Sequence, residues 1–492
     1  MTTKTQNLEA FINQMKESLN QDKAAILVGA GISMIYPSML PSGKQLKEIV
    51  LESLLIGEFA KNKRLLRYNK MYNEIIPEVL FTEIHSVVQK KIFPIFNLLG
   101  LASPNEIHSI LAQLHRAYII PIYTTNFDLL IDGFLPSNTV YHLHGDLNEI
   151  SELYVILKRI ISGIPLNKWM TSWKQLRGKN LFVLGYSGND KDVLNFVDKS
   201  DVLKILWLTR THDINVRMNA QEMVNKQTLF FEGDLNDFTN QVYLKLPELQ
   251  RASVASPIRN IAQKRKEIIE NYRASVSSTQ VSLILIRIFH RIGMYKKSIE
   301  LGNTLLQNPT LTIHEYCRVA VLTADVLRIS TNGYTRALQL IDDILAKEEA
   351  KASFGYVEVL NCKAVILLTK AVFENPSIPK TAIFLLNEAI NYLKRDQKVL
   401  DSDATIGKER CQIIKSFIYQ NLGLSYYILK DFPEAKRFLL KSLYLKRRIG
   451  HLNGIISSSR SLAILSYAMK SRSYSYWKKE ALILIDKYSL VK

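Results

Sequence analysis

The sequence predicts an α/β domain built on a doubly wound parallel sheet, followed by an all-α domain of repeated helices. Three observations carry this prediction. Between residues 24 and 245, apolar runs of buried-strand type alternate with polar, glycine-containing turns and helical stretches, the order of a parallel sheet covered on both faces. From about residue 256 onward no strand candidate interrupts the helical spacing. A chain of 492 residues also exceeds one ordinary core, so domains at 1–250 and 256–492 are expected. Apolar residues at 47% and charged residues at 22% are ordinary for a globular protein, and no apolar run approaches the roughly 20 residues of a membrane span. The first residues lack the apolar core of a signal peptide, so a cytoplasmic protein without membrane contact is expected.

In chain order, residues 6–20 carry Leu8, Ile12, Met15 and Leu19 at helical spacing, with Phe11 beside them, and predict a packing helix. The apolar strand 24–28 runs directly into Gly29-Ala-Gly-Ile-Ser33. Glycines after a strand let the backbone approach a phosphate, and the next helix would aim its N-terminal amides at that anion. Met34 stands where the third glycine of a dinucleotide fingerprint belongs, so a plain strand-to-helix turn is the competing reading. Residues 44–116 have helical spacing throughout, as a helical insertion over a crevice or as a long crossover connection. The runs 117–123 and 139–141 predict strands that end in Thr124-Thr-Asn-Phe-Asp128 and in His142-Leu-His-Gly-Asp146. Ligands bind beyond the carboxyl ends of such strands, so Asn126, Asp128 and His144 are expected to converge on one crevice. Strands at 180–184, 203–208 and 227–231 come next, the first ending in Gly185-Tyr-Ser-Gly-Asn-Asp190 and the last in Gly233-Asp234.

In the helical half, Leu422, Gly423, Tyr426, Phe432, Ala435 and Leu439 stand at tetratricopeptide offsets, with small residues where paired helices touch. Aligned on Ser298, Ala337, Ala382 and Ala435, the recurring pieces lie 39, 45 and 53 residues apart, which departs from the tetratricopeptide period of about 34 and predicts a degenerate array. Residues 1–250 hold 26 Lys/Arg against 25 Asp/Glu, and residues 251–492 hold 38 against 20, so the net charge of +19 is almost entirely C-terminal. A basic half invites acidic partners, nucleic acid among them; solvation of outer helix faces is the plainer reading. The three cysteines, Cys317, Cys362 and Cys411, form neither a disulfide framework nor a metal-binding pair by spacing.

The four strand-end signals, at 29–33, 124–128, 143–146 and 185–190, together resemble the Sir2 superfamily, more closely its SIR2-like bacterial branch than the protein deacetylases. The resemblance covers the first half of the chain and implies a Rossmann-like sheet with NAD+ as substrate. By that resemblance Gly29, Ala30, Gly31 and Ser33 lie along the pyrophosphate and adjoining ribose, Gly185, Tyr186 and Ser187 on the adenosine side, and Gly233 near the adenine. Asn126 matches the asparagine that orients a water or the nicotinamide ribose, Phe127 and Asp128 the pair beside the carboxamide, and His144 the general base. Thr125 replaces the glutamine usual in deacetylases. No cysteine precedes Cys317, so the deacetylases' four-cysteine zinc module is missing and no metal is expected. Their G-I-P-x-F-R segment is also absent from residues 34–43. Both departures favour hydrolysis of NAD+ by water over deacylation or ADP-ribosyl transfer. SIR2-like domains joined to sensing modules resemble NAD+-depleting effectors of bacterial antiphage defence, which implies a homo-oligomer and a phage protein or other trigger on the helical domain.

The residue types suit this chemistry on their own terms. Cleavage of the N-glycosidic bond releases a leaving group that is already cationic, so the protein has to hold the ribose and activate a nucleophile. A histidine that titrates near neutrality can take that proton, a role worth about 10² to 10⁴ in rate. An asparagine positions the water without adding charge. Against this, Asn126 and Asp128 could cap the next helix, and His142 is a rival base to His144. A silent NAD+-binding scaffold is the reading from another functional class.

Overall fold

Seven strands, every pair of them parallel, form one sheet in the computed structural model. It describes residues 6–156, 174–210, 213–221, 227–251, 258, 260–330, 333–351, 353–374, 377–395, 408–449 and 452–487. The chain divides into two compact units, Met1–Asn69 with Asn73–Val276, and Lys70–Tyr72 with Ser277–Lys492. Among the described residues no helix is long and apolar enough to cross a membrane.

The strands are β1 Gln6–Asn7, β2 Ala24–Val28, β3 Ile122–Thr124, β4 Val140–His142, β5 Asn180–Leu184, β6 Lys204–Thr209 and β7 Thr228–Glu232. Their order across the sheet is β1-β7-β6-β5-β2-β3-β4. Counted from β2, the six strands β2 to β7 therefore run 3-2-1-4-5-6, the dinucleotide-binding Rossmann order, with β1 added at one edge. The order reverses between β2 and β5, which pair directly from Ala24↔Asn180 to Val28↔Leu184. Their side chains alternate between two cores. Ile26, Val28, Ile122, Phe182 and Leu184 face one layer with the helices Leu8–Asn20 and Glu106–Tyr118. Ala25, Leu27, Tyr123, Leu181 and Val183 face the other with the helix Lys191–Lys199.

The strand expected across 117–123 is a correction. Ala117 and Tyr118 end the helix Glu106–Tyr118, whose side chains from Ile107 to Leu114 fill the first core. Ile119 then adopts a left-handed conformation and is 80% exposed, and only Ile122–Thr124 join the sheet. The first unit also runs past residue 256. The helix Ile261–Ala274 packs against residues 89–100, and Lys91 Nζ donates to Ser275 O at 2.9 Å.

The second unit is helical, and its helices pack against their sequence neighbours from Ser278–Arg291 to Tyr474–Lys487. Ser298, Ala337, Ala382 and Ala435 are all fully buried, as positions where helices touch should be. Lys446 lies between three of these helices, where Gln420 Oε1 and Ser458 Oγ accept from its ammonium and the Phe417 ring lies 4.8 Å away. Burial pushes its pKa down to about 7.

These contacts generate two stability predictions. Gly185 has φ +62°, and a Cβ there would meet Ile32 N at 2.7 Å; Gly178 has φ +70° with nothing within 4 Å. In denaturant unfolding, Gly185→Ala is expected to cost about 3 kcal/mol and Gly178→Ala about 1 kcal/mol. Because folding lowers the pKa of Lys446, this group's contribution to stability rises with pH from about 7 to the unfolded value near 10.4. Lys446→Met should be about 2 kcal/mol more stable at pH 6, with the gap closing as pH rises through that window.

Candidate active site

The turns after β2 and β5 meet backbone to backbone. Gly31 N donates to Gly185 O at 2.8 Å, and Gly29 N donates to Leu184 O at 3.1 Å. A Cβ on Gly29 would lie 2.7 Å from Tyr186 Cα, and one on Gly31 would lie 2.8 Å from Gly185 Cα. These glycines therefore serve contact between two chain segments. The expectation of a helix aiming free amides at an anion is corrected here. Gly29 leads into a four-residue 3-10 turn, Ala30–Ser33, whose Ile32 N–H returns to Gly29 O at 3.2 Å. Ala30 is exposed and Ser33 is buried.

Ser33 is the hub of a polar set in the first layer. Its hydroxyl donates to Asp128 Oδ2 at 2.9 Å and accepts from Asn126 Nδ2 at 3.1 Å. His108 Nε2 lies 3.1 Å from the same oxygen. The Asn105 backbone N–H donates to His108 Nδ1 at 3.0 Å, so a neutral ring must carry its proton on Nε2 and give it to Ser33. Burial pushes the His108 pKa down to about 3, which keeps the ring neutral. Asn105 in turn caps the helix Glu106–Tyr118 and donates from Nδ2 to Ile32 O at 2.7 Å.

Asn126 and Asp128, both 7% exposed, extend this set. Asn126 N donates to Thr124 Oγ1, and Leu130 N donates to Asp128 Oδ1. Neither side chain caps the next helix, Asp132–Phe134, whose N-cap is Ile131 with no side-chain cap bond; Asp128 closes a local turn and the Asn126 side chain faces Ser33. Burial holds the Asp128 carboxyl above the usual carboxylate range, against the Ser33 and Leu130 hydrogen bonds. Asn126 Oδ1 is buried and has no hydrogen-bond partner among the described residues. An amide oxygen left so costs about 1–3 kcal/mol, and such an atom calls for a donor from elsewhere.

His142 is not a free base. Its Nδ1 lies 2.9 Å from Asn126 O and its Nε2 lies 3.0 Å from Asp132 Oδ2. Burial favours the neutral ring, but the Asp132 hydrogen bond and charge outweigh it and raise the pKa. With acceptors at both nitrogens, His142 clamps the Asn126 backbone.

His144 belongs to a different hydrogen-bonded set from Asn126 and Asp128. Its Nε2 lies 3.0 Å from Asp192 Oδ2, in the first turn of the helix on the opposite face of the sheet. Both residues are buried, and Tyr154 stacks at 6.1 Å on the imidazole. Burial favours a neutral His144 ring, but Asp192, then Asp190 and Glu78, hold its pKa up at about 9. For Asp192, burial opposes ionisation, yet the His144 charge and first-turn amides keep its carboxyl below the ordinary value, as a helix N-terminus favours. Burial and the Asp190 carboxylate push half-buried Glu78 up to about 7. Among the described residues no group of His, Cys, Asp and Glu is placed to hold a metal ion.

The remaining expected residues are spread along the same edge of the sheet. Thr125 and Phe127 are half-buried, and their backbones bond to Val28 O and Leu147 N. Tyr186 is in the second core, stacked on Trp207 at 5.7 Å. Ser187 is exposed, and its carbonyl accepts from Asn219 Nδ2. Gly233 packs on Leu8, where a Cβ would come within 2.9 Å. Sequence reasoning missed Asn105, His108, Glu78, Asp132 and Asp192. Asn105 and His108 form a capping box with histidine in place of the usual Glu or Gln, a signal that a search for the ordinary motif passes over.

The His144–Asp192 pair sets a pH signature. Folding raises the His144 pKa from about 6.5 to about 9, so its stabilisation is complete below about pH 6.5 and is lost as pH rises through 9. Thermal melts should show the wild type's advantage over Asp192→Asn declining across this window, on the order of 3 kcal/mol in full. These residues alone describe the site, because no family model matches the chain and no curated protein matches it.

Proposed function

We propose that the N-terminal unit binds NAD+ across the carboxyl edge of its sheet, at the switch point between β2 and β5, and hydrolyses the N-glycosidic bond. The observation that carries this reading is the carbonyl oxygen of Asn126, without a partner among the described residues and buried beside the Gly29–Ser33 turn in a sheet of Rossmann order. Strand order and switch point are where this fold takes dinucleotides. The Sir2 resemblance supplies the reaction class.

In this reading water attacks C1′ of the nicotinamide ribose, the C1′–N bond breaks, and nicotinamide leaves with the bonding pair as a neutral molecule. Asn126 positions the water or a ribose hydroxyl, Asp128 holds Ser33 in place, and the proton lost from water passes to His144. That role needs a neutral imidazole, so Asp192 and its neighbours set the pH at which His144 becomes competent. The products are ADP-ribose, nicotinamide and a proton. We further propose that the helical unit restrains this activity until a phage protein or other trigger binds, in a homo-oligomer serving bacterial antiphage defence. Nucleic acid is the alternative trigger that its basic charge suits.

One observation favours a silent NAD+-binding scaffold instead: His144 is held as a cation by buried acids. Chromatography of NAD+ incubated with the protein separates the two readings. Hydrolysis predicts nicotinamide release that rises with pH towards 9 and falls by about 10²-fold or more in Asn126→Ala and His144→Ala. Retained NAD+ with no nicotinamide, with candidate triggers present, would leave only the scaffold.

A further inference from the structure

The histidine in the first polar set does something that neither the fold nor the resemblance assigns. His108 comes from the helical stretch between β2 and β3, and its two nitrogens have fixed roles. Nδ1 accepts from the Asn105 backbone, so Nε2 donates to Ser33 Oγ. With Nε2–H already donating to its oxygen, Ser33 cannot give its proton to His108 and gives it to Asp128 Oδ2 at 2.9 Å. The Ser33 oxygen is then left with lone pairs only, and the Asn126 amide can meet it only with its NH₂ group, 3.1 Å away. The amide oxygen is thereby turned away from Ser33, and it is buried without a partner among the described residues. The order of donors starts at a backbone N–H that has no alternative state and runs through His108 and Ser33 to Asn126.

We propose that His108 is a positioning residue that fixes the polarity of Asn126, so that the site selects a ligand group that donates a hydrogen bond. With the NAD+ reading, on which this inference rests for its probe, the donor is a hydroxyl of the nicotinamide ribose or the carboxamide N–H. A ligand offering only an acceptor at that point meets a lone pair with a lone pair and is rejected.

The test measures affinities by calorimetry for NAD+, for analogues lacking the 2′- or 3′-hydroxyl of the nicotinamide ribose, and for 3-acetylpyridine adenine dinucleotide, whose ketone has no N–H. The wild type should bind one of these about tenfold more weakly than NAD+, and which one identifies the donor. His108→Phe, checked for folding by its melting curve, should lose that preference, because Ser33 and Asn126 are then free to reorient. His108→Gln should restore most of it, since its amide can both accept from Asn105 and donate to Ser33. Equal affinity of the wild type for all four ligands overturns the inference, as does a preference that survives in His108→Phe. If NAD+ does not bind at all, the dinucleotide reading falls, and nitrogen-15 NMR of the histidine rings still decides the network. His108 should be the neutral Nε2–H tautomer across about pH 6 to 8, and a charged ring or the Nδ1–H tautomer refutes it.

Discussion

The contact that the rest of the site depends on is the closure of the β2 turn onto the β5 turn. Neither Gly31 nor Gly185 tolerates a side chain, because the backbone of one occupies the space where the Cβ of the other would stand. The Gly31 amide donates across this contact, and the chain then makes one tight turn that delivers Ser33 to the ends of β2 and β3. A wider separation of the turns would withdraw Ser33 from Asp128, Asn126 and His108 together. Glycines read from sequence as room for a phosphate are here, first, room for another strand's turn. Any phosphate at this edge has to be met by groups other than the Gly29 and Gly31 amides.

Two histidines at this edge show how environment sets charge. His108 is surrounded by a backbone amide and a hydroxyl, with no carboxylate bonded to its ring, so burial wins and the ring is neutral. His144 is equally buried but faces Asp192, with Asp190 and Glu78 near enough to matter, so the acids win and the ring is charged. The first is suited to holding a fixed pattern of donors and the second to exchanging a proton. The difference lies in what each ring meets: the Asn105 amide and the Ser33 hydroxyl for His108, and a carboxylate 48 residues away for His144.

That is also why the sheet was legible in the sequence and much of the site was not. Ala24–Val28 and Asn180–Leu184 are short apolar runs closed by glycine, and nothing else fits such a run as well as a buried strand. The run 117–123 misleads because a helix end and a strand share one apolar stretch, and the break at Ile119 is a left-handed turn made by a β-branched residue, which propensity disfavours. The helix Ile261–Ala274 has the same local pattern as the helices after it, and only its packing on residues 89–100 assigns it to the first unit. Ser33, Asn126 and Asp128 were visible because they sit at strand ends. Asp192 was not, because its pairing with His144 spans 48 residues, and a carboxylate in a first helical turn has an ordinary local explanation.

The stretch between β2 and β3 is more than a crossover, and this bears on how the two polar sets are coupled. It supplies Asn105 and His108 to the set around Ser33, and Glu78 to the charged set around His144. The two sets face opposite layers of the sheet, and among the described residues no hydrogen bond joins them. A dinucleotide lying across the carboxyl edge would be the natural bridge, since its length passes from one layer to the other. Movement of this one segment would change donor polarity at one end and proton affinity at the other without disturbing a strand. On the proposed reading of a triggered NAD+ hydrolase, control applied to that segment would reach both polar sets at once.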